Sequence, residues 1–148
     1  MEIERKYLIK QLPPDLDQYP HRAIEQGYLS TEPVVRVRRD GGDYVLTYKS
    51  KGLLVREEYN MPLTKESYEH LVTKIDGRLI AKERYRIPLG ELTIELDIFK
   101  GELAPLVFAE VEFQTETSAN DFTPPEWFSD EVTFLPAYQN SALSMGNP

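Results

Sequence analysis

Apolar and charged residues alternate along most of the chain, and a period of two is the mark of a strand with two unlike faces. "EIERKYLIK" (2–10) alternates in this way, and "IEQGYLS" (24–30) is a shorter strand-like run. "PVVRVRRDGGDYVLTYKSKG" (33–52) predicts two strands joined at Asp40-Gly41-Gly42-Asp43, a strong hairpin signal. "LLVREEYNMPL" (53–63) follows Gly52 as a further strand. The period then changes. Tyr68, Leu71, Val72 and Ile75 fall at i, i+3, i+4 and i+7, which predicts a helix with Thr64 as N-cap and Gly77 as its stop. Strands resume over 78–89, 92–101 and 106–115. In the tail, Thr123 reads as a cap with Pro124 and Pro125 in the first turn of a packing helix that carries Trp127. "AYQNSALSMG" predicts a last short helix. With no internal repeat and no low-complexity linker, the pattern predicts one antiparallel, β-rich domain over 1–148 with few helices.

Parity sorts the side chains of each strand. Glu2, Glu4 and Lys6 share a face, as do Arg36 with Arg38, Thr47 with Lys49 and Lys51, Arg56 with Glu58, Lys82 with Arg84 and Arg86, Glu95 with Asp97, and Glu110 with Glu112. The opposite faces are apolar: Ile3, Tyr7 and Ile9; Val35 and Val37; Leu46 and Tyr48; Leu92, Ile94, Leu96 and Ile98; Val107, Ala109, Val111 and Phe113. A sheet with one wet side would explain any one of these strands. Such a side ordinarily mixes Ser, Thr and Gln with scattered charge, whereas here it is almost wholly ionised. Two like charges ~5 Å apart repel by roughly 3 kcal/mol at an effective dielectric of ~20. Opposite charges and a ligand would offset that repulsion, so the clustered charge suggests a site.

Composition narrows the classes. The chain has 148 residues, 41% hydrophobic and 28% charged, which suits a globular fold. It has no cysteine, which excludes disulfides and thiolate metal sites. No apolar run approaches a membrane span and no apolar signal segment follows Met1, so a cytoplasmic protein without a membrane partner is expected. The net charge of −8 argues against nucleic acid as a partner but leaves room for a small anion held by local positive charge. Lysine and arginine grip phosphate oxygens; carboxylates beside them would repel a polyphosphate unless a divalent cation stood between. The mixed-sign faces therefore read as a metal–polyphosphate site built on strands.

With the faces laid out, the chain resembles the CYTH family, the triphosphate tunnel metalloenzymes. The family's ExExK on the first strand is here Glu2-Ile3-Glu4-Arg5-Lys6. "VVRVRR" matches its paired-arginine strand, "LTYKSKG…VREE" its Thr-x-Lys strand followed by Arg-x-Glu, and "IAKERYRI" its Lys-x-Arg-Tyr strand. "LDIFKGEL…FAEVEF" matches the stretch with an Asp and then a Glu-x-Glu pair, and "PPEWFSDEVT" and "YQNSAL" resemble the closing segment. The resemblance implies an eight-stranded antiparallel β-barrel forming a tunnel, with a few flanking helices. It implies that Glu2, Glu4, Asp97, Glu110 and Glu112 face Mg²⁺ or Mn²⁺. Lys6, Arg36, Arg38, Lys49, Lys82 and Arg84 would hold the triphosphate, with Arg56 and Glu58 extending the lining. By the same resemblance Glu110, Glu112, Lys82 and Tyr28, which resembles a tunnel-mouth tyrosine, would carry the catalytic roles. The implied activity is metal-dependent hydrolysis of inorganic triphosphate, with nucleoside triphosphates as further substrates, by a monomer or homodimer.

Two alternatives within the family are a class IV adenylate cyclase and a thiamine triphosphatase; a third is a polyphosphate-binding module without catalysis. The cyclases carry a His-Phe pair ahead of ExExK, and here that motif starts at residue 2. Thiamine triphosphatases are longer and use an aromatic contact, whereas Trp127 lies in the expected packing helix. The helical accessory domain of some members is not expected in a chain that ends at 148. Asn60 stands where an acid often follows the Arg-x-Glu. His21 and His70 are expected at the surface or in loops, Tyr48, Tyr59 and Tyr85 in the core. Lys51 and Arg86 lie at strand ends, and Glu95 has tunnel parity without an assigned role.

Overall fold

The structure is a computed structural model and describes residues 1–146. It has strands β1 (Glu2–Ile9), β2 (His21–Thr31), β3 (Val34–Asp40), β4 (Asp43–Lys49), β5 (Val55–Arg56), β6 (Glu58–Pro62), β7 (Asp76–Leu89), β8 (Leu92–Phe99), β9 (Val107–Glu112) and β10 (Phe128–Glu131). Three short helices accompany them: α1 (Lys65–Val72), α2 (Glu116–Asn120) and α3 (Asn140–Ser144). All strands join one antiparallel sheet, in the order β10-β1-β9-β8-β7-β2-β3-β4-β6 with β5 on β1.

Closure comes from the 53–63 stretch. The sequence predicts one strand there, but β6 pairs with β4 (Lys49 opposite Glu58) while β5 pairs with β1 (Glu2 opposite Arg56). Glu57 interrupts the two because its backbone bonds to Ser50 instead: its amide donates to Ser50 Oγ at 2.9 Å and its carbonyl accepts from the Ser50 amide at 3.0 Å. One bent segment thus ties both ends of the sheet into a nearly closed barrel. The rest of that edge of β1 is taken by β10, with Tyr7 opposite Glu131. The sheet therefore has ten strands where eight are expected.

The hairpins and the helix cap follow the sequence. Gly41 turns from β3 to β4 at φ +59°, a conformation that suits glycine. Thr64 caps α1 by a capping box, its hydroxyl accepting from the Ser67 amide at 3.0 Å. Other boundaries differ. β2 starts at His21, α1 ends at Val72, and Gly77 is the second residue of β7 rather than a helix stop. Its φ of +67° lets β7 pass close to α3, where an added Cβ would lie 2.2 Å from the Ser144 carbonyl oxygen. The expected helix at Thr123 is extended chain leading into β10; two consecutive prolines supply no amides, and the Phe128 amide closes a turn onto the Pro125 carbonyl at 3.0 Å.

Apolar residues outside β1, β9, β8 and β7 form the main core. Ile3, Tyr7, Ile94, Leu96, Val111 and Phe113 pack there under Ala119 and Phe128, with Trp127 edge-on to Phe128 at 4.8 Å. A second cluster, Ile80, Phe99, Phe108, Val132 and Leu143, has a different position. Ile80, Phe99 and Phe108 share the parity of Lys82, Asp97 and Glu110, so they point into the barrel and fill one end of it. Charge occupies the remainder.

Candidate active site

The inward faces enclose a cavity of about 280 Å³, too small for most organic ligands and walled almost entirely by polar groups. Seven basic and seven acidic side chains line it. Strand pairing sets the arrangement: Lys6 lies opposite Glu110, Glu4 opposite Glu112, Arg84 opposite Asp97 and Arg86 opposite Glu95.

Much of the charge is already paired. Lys49 Nζ donates to the Glu2 carboxylate at 3.0 and 3.1 Å and lies 3.4 Å from Glu58, while Arg56 Nε donates to Glu2 at 3.2 Å. Burial opposes ionisation of Glu2, but Lys49 and Arg56 outweigh it and hold the carboxyl below its usual range. Arg84 forms a two-pronged bond to Asp97, at 2.7 and 2.8 Å, and reaches Glu110 at 3.5 Å and Glu95 at 3.3 Å. Lys82 Nζ is 2.7 Å from Asp97 Oδ2, a contact of charges whose angle is too bent for a hydrogen bond. Burial, with Arg84 and Arg38 near, pushes the Lys82 ammonium down to about 7, although Asp97 holds it up. Lys6 Nζ donates to the Tyr138 carbonyl at 3.0 Å and sits 5.0 Å above the Phe108 ring.

Arg36 and Arg38 differ, for among the described residues neither has a carboxylate partner within ion-pair reach. Arg38 Nε and Nη2 donate to the neutral Gln26 Oε1 at 2.8 and 2.5 Å. Arg36 Nη2 donates to Thr47 Oγ1 at 3.2 Å, and its buried Nε has no partner among the described residues. Thr47 passes its own proton to Asn60 Oδ1 at 2.5 Å, so this chain of contacts is neutral up to Glu58. Burial, then Arg36 and Arg84, push the Arg38 guanidinium down to about 9. Two cations buried without counter-ions among the described residues, at 6% and 8% exposure, form a site for an anion.

Glu2, Glu4, Lys6, Arg36, Arg38, Lys49, Arg56, Glu58, Arg84, Glu110 and Glu112 all line the cavity, as parity predicts, and so does Tyr28, as the resemblance implies. Asp97 and Lys82 do not reach it. Both point inward but are wholly buried beneath the cavity, Lys82 Nζ lying 5.3 Å over the Phe99 ring, and Asp97 spends its oxygens on Arg84 and Lys82 rather than on the open tunnel. His21 and His70 are exposed, His21 held by Glu83 at 2.7 Å. Tyr59, expected in the core, is 58% exposed on the outer face because β6 has nothing packed over it, and it leans on Tyr48. Six lining residues carry no signal as a charged face: Val34, Val45, Asn60, Gln139, Asn140 and Ser141. The last three arrive on the C-terminal segment, whose place across the barrel no periodicity could reveal. Gln26 shares parity with Tyr28 and was legible on that ground.

The CYTH domain matches residues 1–140 of the chain. This chain belongs to the CYTH family. Relatives in the family include an inorganic triphosphatase of Nitrosomonas europaea, 42% identical over 153 aligned positions and covering 99% of each chain. An inorganic triphosphatase of Acetivibrio thermocellus is 35% identical over 151 positions, covering 96% of this chain and 92% of its own. A crystal structure of an inorganic triphosphatase superposes with a TM-score of 0.74 at 37% identity, covering 100% of this chain and 97% of the other.

CYTH proteins are metal-dependent, and the donor set here fits a hard divalent cation. Burial, Glu110 and Glu2 together push the Glu4 carboxyl well above its usual range; burial, Glu2 and Glu58 raise that of Glu112. Burial would raise Glu110 too, but Lys6, Arg84 and Lys82 more than offset it and keep it ionised. Oxygen donors that crowd one another in this way are the ligands a hard divalent cation takes. Among the described residues no three acids or histidines converge on a single point.

Proposed function

We propose that this CYTH protein is an inorganic triphosphatase that hydrolyses a phosphoanhydride bond of tripolyphosphate inside its barrel, with Mg²⁺ or Mn²⁺ as cofactor. The observation that carries the reading is the pair of buried guanidiniums, Arg36 and Arg38, that have no carboxylate partner among the described residues yet face a carboxylate cluster across one cavity. Relatives of nearly full coverage that bear the name inorganic triphosphatase support it.

Arg36 and Arg38 hold the phosphate chain and stay in place as charge spreads over its oxygens in a loose transition state. Arg84, aimed by Asp97, and Lys6 complete the cationic wall on the opposite strands. Glu110, kept ionised by the surrounding bases, is the carboxylate suited to orient the attacking water. Glu2, Glu4 and Glu112 are the acids that would hold the ion, which when bound neutralises phosphate charge. Asp97, itself contacted by Lys82, serves from beneath the cavity by aiming Arg84, and Tyr28 contributes its hydroxyl beside Arg38. The expected setting is the cytoplasm, as a monomer or homodimer; no helix among the described residues is long and apolar enough to cross a membrane.

The test is phosphate release from tripolyphosphate, ATP and thiamine triphosphate with Mg²⁺, Mn²⁺ or EDTA, repeated with Glu110→Gln and Glu112→Gln. Metal-dependent release with tripolyphosphate preferred, lost by ~100-fold or more in Glu110→Gln, is the expected result. Tripolyphosphate that protects the protein against heat without being cleaved would leave a binding module.

A further inference from the structure

Beside the tunnel lies a second hollow of different character. It measures about 520 Å³ and is lined by Pro33, Leu53, Pro136, Ala142 and Met145, with a polar rim that includes Ser50 and Lys51. That volume and apolar lining are those of a site for a drug-sized organic group, which the charged tunnel is not. The two cavities are neighbours: Val34, Arg56, Gln139 and Ser141 border both. Across this border Arg56 Nη2 reaches Gln139 Oε1 at 3.5 Å, while Arg56 Nε is fixed on its other side by Glu2. The Gln139 backbone is held independently, its amide donating to the Pro136 carbonyl at 3.1 Å and its carbonyl accepting from Leu143 at 3.0 Å. Only the side chain spans the gap.

We propose that the Gln139 side chain, braced by Arg56, is a specificity-determining partition that confines the site to free inorganic triphosphate, and that the apolar groove behind it fits the nucleoside of a nucleoside triphosphate once the partition is removed. The inference rests on the triphosphatase reading and names what that site excludes. A tripolyphosphate ends in oxygens on both sides and needs no space beyond the tunnel. A nucleoside triphosphate anchored on Arg36 and Arg38 must place its ribose and base somewhere contiguous, and the groove is the apolar space that adjoins the tunnel wall at Val34, on the same strand as both arginines. The chemistry is the same for either substrate. Water adds to the terminal phosphorus, the bond from that phosphorus to the bridging oxygen breaks, and a proton is released. The products are orthophosphate with pyrophosphate, or orthophosphate with nucleoside diphosphate.

The experiment compares kcat/KM for tripolyphosphate and ATP in wild type, Gln139→Ala and Gln139→Ala/Leu53→Trp, the last refilling the groove. Using the ratio of the two substrates cancels any general loss of active protein. The ratio of ATP to tripolyphosphate should rise by about tenfold or more in Gln139→Ala and return toward wild type in the double variant. An unchanged ratio in Gln139→Ala, with wild type cleaving tripolyphosphate, overturns the partition and leaves the triphosphatase reading standing. A raised ratio that persists with Trp at 53 overturns the groove as the place of the nucleoside. A wild-type protein that cleaves neither substrate removes both readings together.

Discussion

Asn60 shows how much one side-chain charge decides. An aspartate there would sit beside Thr47 and supply the Arg36–Thr47 contact with a counter-ion; the amide supplies only an acceptor. The cavity thus keeps its positive potential for a ligand, at a cost to the empty protein. Arg38 makes the trade measurable, since it is repelled by Arg36 and Arg84 and satisfied only by Gln26. Arg38→Met should raise KM for tripolyphosphate by about tenfold or more, the worth of a charged hydrogen bond, while leaving the ligand-free melting temperature unchanged or higher. A lower melting temperature with unchanged KM would refute it. Tyr7 is a second informative residue, unconnected with the site. Its buried hydroxyl has no partner among the described residues, and burial with the nearby Glu131 pushes the phenol up to about 12 from 10.0. A folded pKa above the unfolded one gives a contribution that is full below pH 10 and lost as pH climbs to 12. Tyr7→Phe should therefore be close to neutral at pH 7 and remove up to about 2 kcal/mol of that alkaline loss, checked by urea unfolding across the range.

Among the elements, those with a local cause were legible and those with a distant cause were not. The Gly41-Gly42 hairpin and the Thr64 cap are written in a few adjacent residues. The split of 53–63 is not, because it arises from a demand at the far side of the barrel, where β5 must reach β1 while β6 stays on β4. Gly77 is a similar case. Its sequence context reads as a helix stop, yet its reason is the passage of α3, which Arg78 Nε also fastens through the Leu143 carbonyl at 3.0 Å. Gly77→Ala should destabilise the protein by about 1–3 kcal/mol through its left-handed φ, and by displacing α3 should loosen the segment that carries Gln139. Faster amide exchange at 139–146 than elsewhere in the chain is the measurement; uniform exchange would place the cost in the backbone alone.

For the whole molecule, seven of the 17 lysines and arginines line one small cavity in a chain of net charge −8. Outer acids repel anions at long range while inner bases attract them at short range. Strand parity made the charged interior readable, and the candidate site with it, apart from Asp97 and Lys82. The extent of that interior was hidden, because Phe99 and Phe108 continue the charged faces of their strands with apolar side chains. With Ile80, Leu143 and Tyr138 they stopper one end of the bore. Traffic is then two-way through a single door. A short substrate enters and its fragments retreat along the same path, whereas a long polyphosphate has no exit through which to thread. Long-chain polyphosphate should accordingly protect the protein against heat far less than tripolyphosphate at equal phosphate concentration, and such chains, when cut, should be released after each turnover instead of being reeled through.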